Sequence, residues 1–227
     1  MVSTATSAEV LFASSDMYQA LGNFLCRTEP ELAQALCDGS FVGDIKEILG
    51  ELGFSDQEIT LLTDGFAEFL TSSKEAQDEL FHKVRRNYTH LFTNPKFSVM
   101  TPYEARYLGD EKFSKDGIPV SRVRVDLKDL YKRSGFESQI KPKEYEDHLR
   151  VEFEFMEVLR KNQGICLRDG NESAYLEIES TVQELFDRHL KVWALPFFEE
   201  VGEKSLENVY KVIASLALAF LKREFGR

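Results

Sequence analysis

At 227 residues the chain can form one large or two small domains with a proper core. Hydrophobic residues are 43% and aromatics 12%, with 18 Phe, which excludes a disordered chain. The formal charge of -11, from 39 acidic against 28 basic residues, makes nucleic acid and anionic membranes poor partners; it suits solubility or a basic partner.

The pattern is helical from the start. Val10, Leu11, Tyr18, Leu21, Phe24 and Leu25 recur at three- and four-residue steps. Pro30 suits a first helical turn, and "PELAQAL" follows it. "FVGDIKEIL" is a further short helix stopped by Gly53. "SDQE", Ser55 to Glu58, is a capping box opening a helix through Ile59, Leu62, Phe66, Phe69 and Leu70. "SSKE", Ser72 to Glu75, repeats the device before Leu80, Phe81, Val84, Tyr88, Leu91 and Phe92.

A long irregular loop follows near residues 93–120, rich in Pro and Gly; such loops in a compact domain tend to be functional. Helical pattern resumes at Ser121 and ends at Gly135, although the alternating charges of "SRVRVDL" also allow a short strand. After the linker "FESQIKPK", a helix over "EYEDHLRVEFEFMEVLRKNQG" ends at Gly164. Glu172 to Leu190 is amphipathic, "VWALPFFEEV" breaks at Pro196, and Leu206 to Phe225 closes the chain. The expectation is an all-α protein: one globular helical bundle over residues 1–227, of roughly ten helices, with a candidate hinge at 135–143.

Cys26, Cys37 and Cys166 form no CxxC pair, which argues against a disulfide framework or a Cys-rich zinc site and fits a reducing cytoplasm. No Lys or Arg precedes Arg27, so the start lacks the positive region of a secretory or twin-arginine signal. "VIASLALAFL" falls short of the roughly 18 to 20 residues of a membrane span. The protein is expected to be soluble and cytoplasmic.

The chemical motifs are few. Of the ligand pairs of a di-iron bundle, only Glu79 and His82 have Glu-x-x-His spacing, and HExxH and EF-hand loops are missing, so no metal is expected. No phosphate-cradling glycine loop and no G-x-S-x-G elbow occurs, so no nucleotide or other cofactor is expected. Asp147 and His148 could act as acid and base in an enzyme. Adjacent helical residues point about 100° apart, however, which suits lining a surface better than relaying one proton. The bare residues favour an Asp147 that caps or faces solvent beside a half-buried His148, and leave the enzyme reading open.

Three segments in order, "YTHLFTNP" (88–95), "TPYEARY" (101–107) and "EYEDH" (144–148), resemble the TorD/DmsD family, with a late Trp193 and Pro196 segment similar to its W-x-x-x-F region. Asn94, Ala105 and Tyr145 depart from the family's Gly, Ser and Pro. The resemblance covers roughly Glu9 to Phe225. It implies a cytoplasmic chaperone, not an enzyme. Such a chaperone binds the twin-arginine signal peptide, the apo catalytic subunit of a molybdopterin oxidoreductase (DMSO/TMAO reductase-like), or both. It holds the client for cofactor insertion before export.

On that resemblance the signal-peptide site comprises Tyr88, Leu91, Phe92, Pro102, Tyr103, Glu104, Glu144, Asp147 and His148. Tyr88, Leu91 and Phe92 share one helix face, with ordinary core as the competing use. Glu104, Glu144 and Asp147 offer carboxylates to arginines. His148, one turn from Glu144, would tune affinity near physiological pH. Val151, Phe155 and Val158 are expected core anchors below them. The partners are then the leader peptide and the catalytic subunit, with no nucleic acid and no membrane insertion. The chain itself is expected to be a monomer or a domain-swapped dimer.

Overall fold

Serine and asparagine side chains start five of the eleven α-helices among the described residues, by taking backbone N–H groups that a helix leaves without acceptors. In the computed structural model, which describes residues 7–93, 99–113, 119–141 and 143–226, Ser7 caps α1 (Ala8–Gly22) by accepting from Val10 N. Pro30 opens α2 (Pro30–Asp38), and α3 (Ser40–Glu51) follows it; Gly53 lies just beyond at φ 80°. The Ser55–Glu58 capping box is present at the head of α4 (Asp56–Thr63), which tightens into a 3-10 turn over Asp64–Phe69. Ser73, not Ser72, caps α5 (Lys74–Tyr88) by accepting from Ala76 N. Of the two adjacent serines, only the second reaches that N–H. A π turn, Thr89–Thr93, extends α5.

The expected irregular segment is partly ordered. It contains α6 (Glu104–Tyr107) and one antiparallel pair of two-residue strands, Lys112–Phe113 with Val120 and Pro119. Asn94 and Pro95 of the first motif, and Pro142 of the second linker, lie outside the described residues. "SRVRVDL" is helical. Ser121 caps α7 (Arg122–Arg133), and its side chain accepts from Arg124 N.

The EYEDH helix begins later than its sequence pattern suggests. Glu146 and Asp147 form a turn, and His148 is the N-cap of α8 (Leu149–Arg168). Nor does α8 stop at Gly164. A Cβ at Gly164 would lie 2.7 Å from Phe12 Cε1 on α1, so this glycine permits close helix packing rather than ending a helix. The stop is Gly170, at φ 69°. Asn171 caps α9 (Glu172–Leu185), a π turn spans Phe186–Leu190, and α10 (Lys191–Lys204) runs through Pro196. Pro196 and Val192 lie on the exposed face of α10, so the carbonyl that loses its donor to the ring is on the solvent side. Trp193, Phe197 and Phe198 bury the opposite face and hold the helix together. The chain closes with α11 (Asn208–Phe225).

The core sits where α1 packs on α8 and α10 on α11. Aromatic rings fill it: Tyr18 packs edge-on against Phe153 and Phe220, and Phe153 stacks on Phe198. Each buried aromatic adds about 2 kcal/mol or more of apolar transfer, before cavity effects. Val151 and Phe155 are core, as expected, but Val158 is 36% exposed and faces outward. Among the described residues no helix is long and apolar enough to cross a membrane.

Candidate functional site

Two of the three sequence motifs are stitched together. Segments 102–105 and 147–149 run antiparallel: Glu104 N donates to Asp147 O at 2.9 Å, and Leu149 N to Pro102 O at 2.9 Å. Ala105 N also donates to the Asp147 carboxylate at 3.1 Å. The loop and the helix start therefore form one unit.

Its polar groups are mostly engaged inside. Asp147 is 0% exposed and pairs with Arg124 Nε at 2.6 Å. Burial pushes its carboxyl up, and the Arg124 guanidinium opposes this. Arg124 also holds Glu111 at 2.7 Å, and the Tyr145 ring lies 4.4 Å from its guanidinium. Glu104 is buried, with His189 Nδ1 2.9 Å from its carboxylate; the other ring nitrogen of His189 lies 3.2 Å from Asp126. Burial pushes the Glu104 carboxyl up, against the His189 contact.

His148 accepts from Arg150 N at 3.1 Å and packs edge-on against Tyr103. Burial, and then the charge of Arg150, push its imidazole down to about 3. The ring is neutral at physiological pH, so it is not the affinity tuner that an unperturbed histidine would be. Asp147 does not face solvent, and neither member of the pair is placed to meet a small-molecule substrate.

The hydrophobic members divide. Leu91 and Phe92 are core, Phe92 stacking on Phe197, and Pro102 is buried. Tyr88 is half-buried, and its hydroxyl is pushed up to about 12 by burial, then by Cys26 and Glu144 nearby. Tyr103 is half-buried and donates its hydroxyl to Glu144 at 2.5 Å. Glu144 then lines an open cleft of ≈ 620 Å³ with Tyr145, Glu146, Val120 and Val125. Tyr145, Val120 and Val125 are exposed at 47%, 47% and 62%, a run of apolar surface beside two acids, with Lys128 and Lys143 also on the rim.

Sequence reasoning missed Arg124, His189 and Glu152. Glu152 is wholly buried, accepts from Trp193 Nε1 at 3.4 Å, and has no partner for Oε1 among the described residues. Burial, and then the Glu104 charge, push its carboxyl well above the usual range. A signal existed: Glu152 lies on the apolar stripe of α8, between Val151 and Phe153. Arg124 looked like one of several alternating surface charges. Among the described residues, no group of three or more His, Cys, Asp or Glu side chains is arranged to hold a metal ion.

No curated protein matches the chain. Residues 52–199 match the family model for the nitrate reductase delta subunit, and all nine motif-derived site residues fall within that span. The match extends over nearly two thirds of the chain. TorD/DmsD proteins are related to that family, so the resemblance holds at the level of redox-enzyme maturation chaperones. The chain belongs to the nitrate reductase delta subunit family, a family of chaperones, not of enzymes, that serves molybdoenzyme maturation.

Proposed function

We propose that the protein binds the twin-arginine leader, and the apo catalytic subunit behind it, of a nitrate reductase- or DMSO/TMAO reductase-like molybdoenzyme. It would hold that client in the cytoplasm until the cofactor is inserted. Membership in a redox-enzyme maturation family carries the reading. The cleft beside Glu144 supports it locally. Glu144 and Glu146 offer carboxylates to leader arginines, and Tyr145, Val120 and Val125 offer apolar surface to the stretch that follows. Buried Asp147, Glu104 and His148 fix the loop that presents them. The net charge of -11 adds salt-sensitive steering of a basic leader.

Titration calorimetry against the twin-arginine leader peptide of a nitrate reductase-like catalytic subunit tests the reading. Wild type is expected to bind, and Glu144→Gln with Tyr145→Ala to weaken binding about tenfold or more. No binding by wild type, or equal binding by the variant, refutes the cleft. A solution mass measurement separates a monomer from a dimer that exchanges halves at 135–143.

A further inference from the structure

A second open groove lies away from the Glu144 cleft. Its walls are α8 and α9, joined by the three-residue turn at 169–171 and packed on one another, with segment 134–139 across one end. The groove measures ≈ 840 Å³. Its floor is apolar, built from Phe136, Phe155, Val158, Leu159 and Ile178. Phe136 packs 4.8 Å from Phe155, and Ser138 and Gln139 N both donate to Glu154, so the end segment is held in place.

The lining is strongly one-signed. Glu137, Glu154, Glu177 and Glu184 stand against Arg133 alone. Glu154 ties the end segment, and Glu184 pairs with Arg133 and Arg188. Glu137 and Glu177 are exposed, and neither side chain has a partner among the described residues. An apolar floor between two helices accepts a third helix by its apolar ridge. Unpaired acids at the edge select lysines and arginines flanking that ridge.

We propose that this groove is a second docking site, for a basic amphipathic helical segment of the client enzyme. It lies outside the leader cleft, so one client chain could engage the protein at two points. Two weak contacts on one chain reinforce each other through effective concentration, and either can be released first. The source of the segment rests on the chaperone reading; the site does not rest on the leader cleft.

The probe is a labelled synthetic peptide of leucine and lysine with one apolar helical face, followed by fluorescence anisotropy on the full chain. Glu137→Lys with Glu177→Lys is expected to weaken binding about tenfold or more. Val158→Glu, which alters the floor at an exposed position, is expected to do the same. The charge-matched control, Glu47→Lys with Glu51→Lys on the exposed face of α3, should bind as wild type does. Undiminished binding by the groove variants, or equal loss in the control, overturns the proposal. So does a dimeric wild type that the groove variants turn monomeric, since a second copy would then fill the groove. The Glu144→Gln and Tyr145→Ala variant should still bind this peptide, which keeps failure here separate from failure of the leader cleft.

Discussion

Glu152 is the buried carboxyl whose removal should strengthen the protein. It is 0% exposed, its one side-chain hydrogen bond among the described residues is from the Trp193 indole N–H, and the charges of Glu104 and Asp147 both push its carboxyl up. The folded protein therefore holds the Glu152 proton to higher pH than the unfolded chain, which loses it above the ordinary value of 4.5. A group whose folded value is raised stabilises fully below its unfolded value and loses that contribution as pH rises. Between the ordinary and the raised value, each pH unit of that rise costs about 1.4 kcal/mol. Glu152→Gln has no proton to lose. Its amide would place an N–H₂ where Oε1 has no partner, a cost of about 1 kcal/mol. The variant should be close to wild type near pH 5 and gain on it as pH rises from there. Asp147→Asn should do the opposite, losing about 3 kcal/mol at neutral pH, because it leaves the buried Arg124 guanidinium with Glu111 alone. Urea unfolding followed by circular dichroism at both pH values reads the two together. A pH-independent difference for Glu152→Gln, or a loss as large as that of Asp147→Asn, would mean that Glu152 is ionised, and the reasoning fails.

His148 supplies a pH dependence of opposite sign. Its folded value of about 3 lies below the free value of 6.5, so its contribution is present above 6.5 and is lost as pH falls from there toward 3. Relative to wild type, His148→Gln should gain about 1.4 kcal/mol per pH unit on acidification within that window; an unchanged urea-midpoint difference refutes it. Gly164→Ala places a methyl against Phe12, costing about 1–3 kcal/mol of overpacking against about 1 kcal/mol of helix propensity gained. A lower melting temperature, recovered by adding Phe12→Leu, is expected, whereas a rise would show that Phe12 moves aside freely.

The helical class and most helix starts were legible because they depend on neighbours in sequence. Ser55 and Glu58 are three residues apart, and their reciprocal cap needs nothing else. Stops were less legible, because Gly164 and Pro196 act through packing: one admits Phe12, and the other is tolerated between buried Trp193 and Phe197. The motif order led to the family, yet not to what each motif residue does. Asp147 was read as a carboxylate open to a ligand, but its counter-charge, Arg124, sits 23 residues earlier. Glu104 meets His189, 85 residues later. Pairings at such separations leave no local pattern, so a buried partnered acid and an open one look alike in sequence.

That difference bears on how a chaperone can hold a client and still let it go. A carboxylate already paired to a buried arginine must break that pair before it can bind another, at a cost of several kcal/mol. Asp147 is therefore poor adhesive and good scaffold: it fixes the 102–105 segment and the start of α8 in one geometry. Side chains with little or nothing internal to lose make better contacts for reversible binding. Around the motif unit those are Tyr145, Glu146, Val120 and Val125; on the far groove they are Glu137, Glu177 and Val158. Removing Asp147 should thus lower stability and leader affinity together, whereas removing Tyr145, which gives up only ring contacts with Arg124 and Tyr103, should lower affinity with a much smaller loss of stability. Measuring both quantities on both variants distinguishes scaffold from contact, and equal stability losses would erase the distinction.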